Sequence, residues 1–91
     1  MPRISQFFGI EISMYYNDHN PPHFHAKYAE HRAKILICTA TSPSSVLQGS
    51  LPNKQLDLVL KWATLHCVEL MENWERIIQS KESLKRIDPL T

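Results

Sequence analysis

The sequence is short of the residues that would place it in several common classes. It has only two cysteines, Cys38 and Cys67, in 91 residues. A secreted domain of this size is usually held by several disulfides, so that class is excluded. Two isolated thiols in apolar surroundings read instead as reduced core residues of a cytoplasmic protein. No apolar run approaches the ~20 residues that span a bilayer, and the start, Met1-Pro2-Arg3-Ile4, lacks the apolar region of a signal peptide. The expectation is an intracellular protein with no membrane association. Nor is there an excess of either charge: 10 Lys and Arg stand against 9 Asp and Glu, for a net charge of +1. A strong nucleic-acid binder is usually a basic domain with a pI above about 9, so only local patches could serve that purpose. Repeats, low-complexity runs and a second domain are all lacking. One small domain remains, burying roughly 60% of the surface of its unfolded chain.

What is present is concentrated in one stretch, Asn17-Asp18-His19-Asn20-Pro21-Pro22-His23-Phe24-His25-Ala26. It carries three of the five histidines and the only Pro-Pro pair. Each proline restricts the residue before it and donates no backbone hydrogen bond. A tight two-residue hairpin is therefore excluded, and the connection must be wide and stiff.

The flanking pattern is that of strands. Ile4–Phe8 is a short apolar segment, and Gly9 marks a hairpin turn or a bulge. From Ile10 to Tyr16 the sequence alternates, with Ile10, Ile12, Met14 and Tyr16 on one side. His23–Tyr28 resumes as a strand, placing His23, His25 and Lys27 on one face and Phe24, Ala26 and Tyr28 on the other. After a short turn at Ala29–His31, Arg32–Cys38 forms a strand. Thr39–Ser45 is a loop, and Val46–Leu51 a fourth strand at an edge. From about Pro52 to about Ser80 apolar residues recur at three- and four-residue spacing, through Leu56, Leu60, Ala63, Cys67, Leu70, Trp74 and Ile77. The expected fold is α+β: a small, mostly antiparallel sheet of three to four strands with one long C-terminal helix packed on it. Residues 1–80 form the domain and 81–91 a polar tail, with Leu84, Ile87 and Leu90 available to a partner.

Two chemistries fit the histidine stretch. An H-x-H pair on a strand puts two imidazoles on one face with backbones roughly 7 Å apart, close enough to share a divalent metal such as zinc. Asp18 and His19 would complete a set of Asp18, His19, His23 and His25, although no cofactor is firmly implied. Alternatively, paired histidines can act as general acid and base on a phosphodiester without metal. Then His19, His23, His25 and Lys27 are the catalytic residues, and Lys27 with Arg32 holds the phosphate. The bland reading makes the histidines solvent-side strand residues and the Asn and Asp turn formers.

On a helical wheel Trp62, His66, Glu69 and Asn73 fall on one strip beside the apolar stripe. This strip reads as an ordinary polar boundary with Trp62 half-buried, or as a wall facing the histidine loop, with His66 assisting catalysis. Cys67 lies in the apolar stripe and Cys38 has no activating neighbour, so neither is a nucleophile. Lys81, Lys85 and Arg86 are a weak basic cluster of a solvated tail.

Pro2-Arg3-Ile4-Ser5 with Phe7, Gly9-Ile10, Met14-Tyr15, and Asn17 to Ala26 with Tyr28 together resemble a family of small prokaryotic proteins. So do the later Leu51-Pro52, Trp62-Ala63, Leu65-His66, Glu69-Leu70 and Glu72-Asn73-Trp74. It is the domain-of-unknown-function family number 4160, and the run Asp18 to Ala26 is its most specific feature. This chain departs from it in Thr39–Val46, which carries extra small residues where a shorter acidic turn is usual. The resemblance supplies no activity. It implies one half of a toxin–antitoxin-like pair, hence a cognate antitoxin-like partner protein in the cytoplasm, a toxin that acts as a ribonuclease on RNA, and an oligomer with that partner. The competing expectation is a non-enzymatic metal-binding or protein-interaction module built on the same histidines.

Overall fold

A computed structural model describes residues 3–16, 18–80 and 83–91. Pro2, Asn17 and Lys81, which the sequence reading used for the family pattern, the turn and the basic cluster, lie outside the described residues. Five strands form one antiparallel sheet in the order β1-β2-β3-β4-β5. They are β1 (Arg3–Phe7), β2 (Ile10–Ser13), β3 (His23–Tyr28), β4 (His31–Leu36) and β5 (Val46–Gly49). Every neighbour in the sheet is a neighbour in sequence, so hairpins alone build it.

The count of three to four strands is corrected to five, because the chain reverses at Phe8-Gly9. Both residues have positive φ, 49° and 80°, as a two-residue hairpin matched to strand twist demands. The short segment before Gly9 is therefore β1 itself, paired through Phe7↔Ile10 and Ser5↔Ile12. A bulge between Arg3 and Ser5 lets Ile4 and Ser5 both be buried. At the far edge Gly49 has φ +84°, and a Cβ there would collide with the Arg32 carbonyl oxygen. The bulge between Lys34 and Ile35 shifts the β4–β5 register beside this point.

The alternation read from sequence becomes two unlike faces. Inward go Ile10, Ile12, Phe24, Ala26, Ala33 and Ile35, which form one core with Val59, Trp62, Ala63, Leu70, Trp74 and Ile77 of the helical layer. Trp62 is its centre, fully buried, with ring centroids 5.4 Å from Phe7 and 5.8 Å from Phe24.

The expected single long helix is also corrected. Helix α1 (Asn53–Leu65) has 13 residues and α2 (Cys67–Glu75) has 9, followed by a π-helical turn over Arg76–Ser80. His66 alone separates α1 from α2, with φ −119° and ψ 28°. A one-residue break hardly disturbs a periodic apolar stripe, so the pattern continues across it. The break sits beside a covalent tie: Cys67 is joined to Cys38 in a disulfide, with Cα atoms 5.8 Å apart. The two cysteines expected as separate core thiols are thus neighbours. Residues 29 apart in sequence give no local sign of meeting. No helix among the described residues is long and apolar enough to cross a membrane.

Residues 83–91 do not behave as a solvated tail. Ile87 is 4% exposed and belongs to the core, with Leu84 and Leu90 packed against it. The segment is strapped down by polar anchors. Asn73 donates from Nδ2 to Lys85 O (2.9 Å) and accepts from Lys85 N (3.0 Å). Trp62 Nε1 donates to Asp88 O at 2.8 Å, and Ile87 N to Ile4 O at 2.8 Å. Trp62 is thus buried, not half-buried, and it and Asn73 of that strip hold the C-terminal segment.

Candidate metal centre and the outer face of the sheet

The connection between β2 and β3 builds the site. Asp18 N donates to Tyr15 O at 3.2 Å, folding the chain back as it leaves β2. The Asn20–Pro21 peptide is cis. Pro22 O accepts from Ile37 N at 3.1 Å, which extends the β3–β4 ladder past the pair His23↔Leu36. The proline loop is therefore anchored to the sheet where it delivers His23.

Three of the expected residues converge. Asp18, His23 and His25 offer ligand atoms that all lie within 4.8 Å of one another. Asp18 Oδ2 is 2.9 Å from His25 Nε2 and 3.4 Å from His23 Nε2. The two imidazole centroids are 5.2 Å apart. Trp74 covers His23 at 5.4 Å and Tyr15 meets His25 edge-on at 4.4 Å.

The protonation pattern of His23 follows from its partners. Its Nδ1 lies 2.8 Å from Pro21 O. A carbonyl only accepts, so Nδ1 carries the proton and donates. In the neutral ring Nε2 then presents a lone pair toward the carboxylate of Asp18. That atom is buried and has no hydrogen-bond partner. An imidazole whose one nitrogen donates to a backbone carbonyl while the other points a lone pair at further ligands is arranged like a metal-ligating histidine. Burial lowers the pKa of His25, outweighing the opposing pull of Asp18, with the charges of His23 and Lys34 adding to the lowering. Its Nε2 donates to Asp18 Oδ2 at 2.9 Å, so that nitrogen would ligate an ion only once its proton is displaced. Around a tetrahedral ion with ligands at about 2.0–2.1 Å, ligand atoms lie about 3.3 Å apart. The 3.4 Å between His23 and Asp18 is close to that value, the 2.9 Å at His25 is shorter, and all three ligand atoms lie within 4.8 Å, so an ion would draw the side chains into a tighter set.

The remaining expected residues are elsewhere. His19 is exposed on the loop and does not belong to the cluster of ligand atoms. His66 sits at the break between the helices, its Nδ1 2.7 Å from Glu69 Oε1 and its ring 5.5 Å from that of Trp62. Lys27 is exposed and lies on the same strand face as His25.

That face holds a feature the sequence reading only touched. A groove of about 480 Å³ runs across the outer side of the sheet, lined by Arg3, Glu11, Tyr15, His25, Lys27, Arg32 and Lys34 among others. Register stacks them in cross-strand rows: Glu11↔Lys27↔Arg32, and Arg3↔Ser13↔His25↔Lys34↔Gln48. Four cations against one carboxylate give this lining a balance of +3, while the whole chain carries +1. Arg3 and Lys34 were missed because only the pairing register brings them into one row with His25. The usable signal was the polar parity of each strand.

A family model described as Domain of unknown function (DUF4160) matches residues 9–75. It covers most of the 91 residues, including all of the Asp18, His23 and His25 centre, and the chain belongs to this family. No curated protein and no solved structure matches the chain.

Proposed function

Because membership of the DUF4160 family brings no activity with it, we propose from the geometry that this chain is a small metal-dependent hydrolytic protein. It would act on RNA as the toxin of a toxin–antitoxin-like pair, with a cognate antitoxin-like partner in the cytoplasm. Its centre is Asp18, His23 and His25 holding a divalent ion such as zinc. The observation that carries the reading is the buried, unpartnered Nε2 of His23 aimed at Asp18 Oδ2 beside His25 Nε2. Three protein ligands leave a tetrahedral ion one position for water, which it acidifies toward neutrality; that is the pattern of hydrolytic zinc sites. The metal-free acid–base reading has less support, because the His23 side chain is 6% exposed and its Nε2 is buried. That burial equally favours a non-enzymatic metal-binding or protein-interaction module on the same three ligands.

The test uses protein purified without a histidine tag. Elemental analysis should find about one equivalent of a divalent transition metal, lost in Asp18→Asn and in His23→Ala. Expression of the chain alone should arrest growth and deplete RNA, and the folded variants should not. A metal-free protein whose melting temperature ignores added zinc would overturn the metal centre. Full toxicity in a folded His23→Ala/His25→Ala variant would overturn the mechanism.

A further inference from the structure

We infer that the outer face of the sheet is a binding groove for a short single-stranded phosphodiester segment, gripped by Lys27, Arg32 and Lys34 and led to the Asp18, His23 and His25 centre. The inference rests on the reading above for the bond that is cut, while the binding it asserts is separable from the metal.

Three observations carry it. First, two of the cations stand where folding alone disfavours them. Lys27 and Arg32 are direct cross-strand partners, with Glu11 on the other side of Lys27 and Lys34 in the next row opposite His25. Like charges directly opposite on a sheet are destabilising. None of Lys27, Arg32 and Lys34 makes an ion pair among the described residues, since Glu11 on this face is taken by Arg3 at 2.7 Å. Such a local conflict marks functional surface, and an anion spanning the three would relieve it. Second, the groove is of a size to hold a nucleotide or two; small-ligand sites occupy roughly 300–1,000 Å³, and this one about 480 Å³. A duplex is read by a helix or ribbon entering its groove, but here both helices lie on the opposite side of the sheet, around the core. Third, His25 belongs both to the ligand cluster and to the groove lining. A backbone bound along Lys27, Arg32 and Lys34 therefore ends at the centre without crossing any other element. Tyr15, against His25 and in the same lining, adds the aromatic surface that single-strand binders combine with a basic groove.

The experiment is fluorescence anisotropy with a labelled six-nucleotide RNA, the same sequence as DNA, its duplex, and a poly-glutamate peptide. It uses the full chain as purified and again after dialysis against a chelator. Single strands should bind with affinity that falls with salt, the log–log slope changing by about 0.7 for each phosphate neutralised. The variant Lys27→Ala/Arg32→Ala/Lys34→Ala should bind at least about tenfold more weakly with a slope near zero. Single Lys27→Gln and Lys34→Gln variants, checked by melting temperature, should each lower the slope by about 0.7. Equal affinity for RNA and DNA would assign recognition to phosphates, and a preference for RNA would add contacts from Ser13 or Gln48 to the 2′-hydroxyl; both support the groove. No binding of either strand at 50 mM salt, tighter binding of duplex or poly-glutamate, or a triple variant that binds like wild type would overturn it. Oligonucleotide binding that survives the chelator would support the groove independently of the metal centre. A metal-loaded protein that ignores oligonucleotides would overturn the groove and leave the metal centre standing.

Discussion

The two faces of the sheet are made by the same strands and obey different rules. The inner face is saturated: Ile10, Ile12, Phe24 and Ile35 are fully buried against Trp62, Leu70 and Val59. The outer face is under-satisfied: Lys27, Arg32 and Lys34 make no ion pair among the described residues, the Glu11 opposite Lys27 being taken by Arg3, and His23 keeps a buried nitrogen without a hydrogen bond. Selection for stability alone would remove both features. The contrast separates the residues that hold the fold from those that use it.

Several measurements would break or sharpen that contrast. Trp62→Ala should cost the most, about 3–5 kcal/mol, seen as a collapse of the urea midpoint; its ring meets Phe7 and Phe24, and its Nε1 holds Asp88 O. A loss under 1 kcal/mol would mean that the inner face is not the stabilising one. Reduction of Cys38–Cys67, which closes a loop of 29 residues, should cost about 3–4 kcal/mol in the chain-entropy account. Titration finding two free thiols in native protein would dispose of that tie. Asn73→Ala should cost about 1–3 kcal/mol by orphaning the Lys85 backbone groups, and limited proteolysis should then cut first within residues 83–91.

On the outer face the effects on stability should be smaller. Burial holds the pKa of His25 below that of the free side chain. The metal-free fold therefore binds fewer protons than the unfolded chain between those two values. Stability should rise with pH through that window and be lost as pH falls through the lowered value. His25→Gln should flatten this slope; an unchanged slope would assign it to another group. Lys34→Ala should move stability by no more than about 0.5 kcal/mol while weakening oligonucleotide binding. A large loss of stability there would erase the distinction between the faces.

Legibility in the sequence followed the range of the interactions. The alternation of Ile10, Ile12 and Met14, the resumption at His23 and the amphipathic stretch after Pro52 are local patterns, and they placed the sheet, the helical layer and the histidine-bearing loop. The hairpin at Phe8-Gly9 was harder to see, because Phe8 is a rare occupant of left-handed backbone. The break at His66 carries neither Pro nor Gly. The strap of residues 83–91 looks polar because its anchors are mostly backbone groups bonded to Asn73 and Trp62. Among the site residues, spacing alone put His23 and His25 on one strand face, and adjacency suggested Asp18. Nothing local distinguished His19, which stays exposed, from Asp18, which turns inward.

By itself, then, the sequence determined the class of fold, the strand face of His23, His25 and Lys27, and the stiffness of the loop that delivers them. Periodicity and proline act within a few residues. The tertiary structure alone decided that Asp18 Oδ2 meets both imidazoles, that Arg3 and Lys34 join His25 in one row across four paired strands, and that Cys38 reaches Cys67. Those contacts depend on register and on how the helical layer settles on the sheet. Register and docking are set by the whole core at once, so they are written at no single place in the chain.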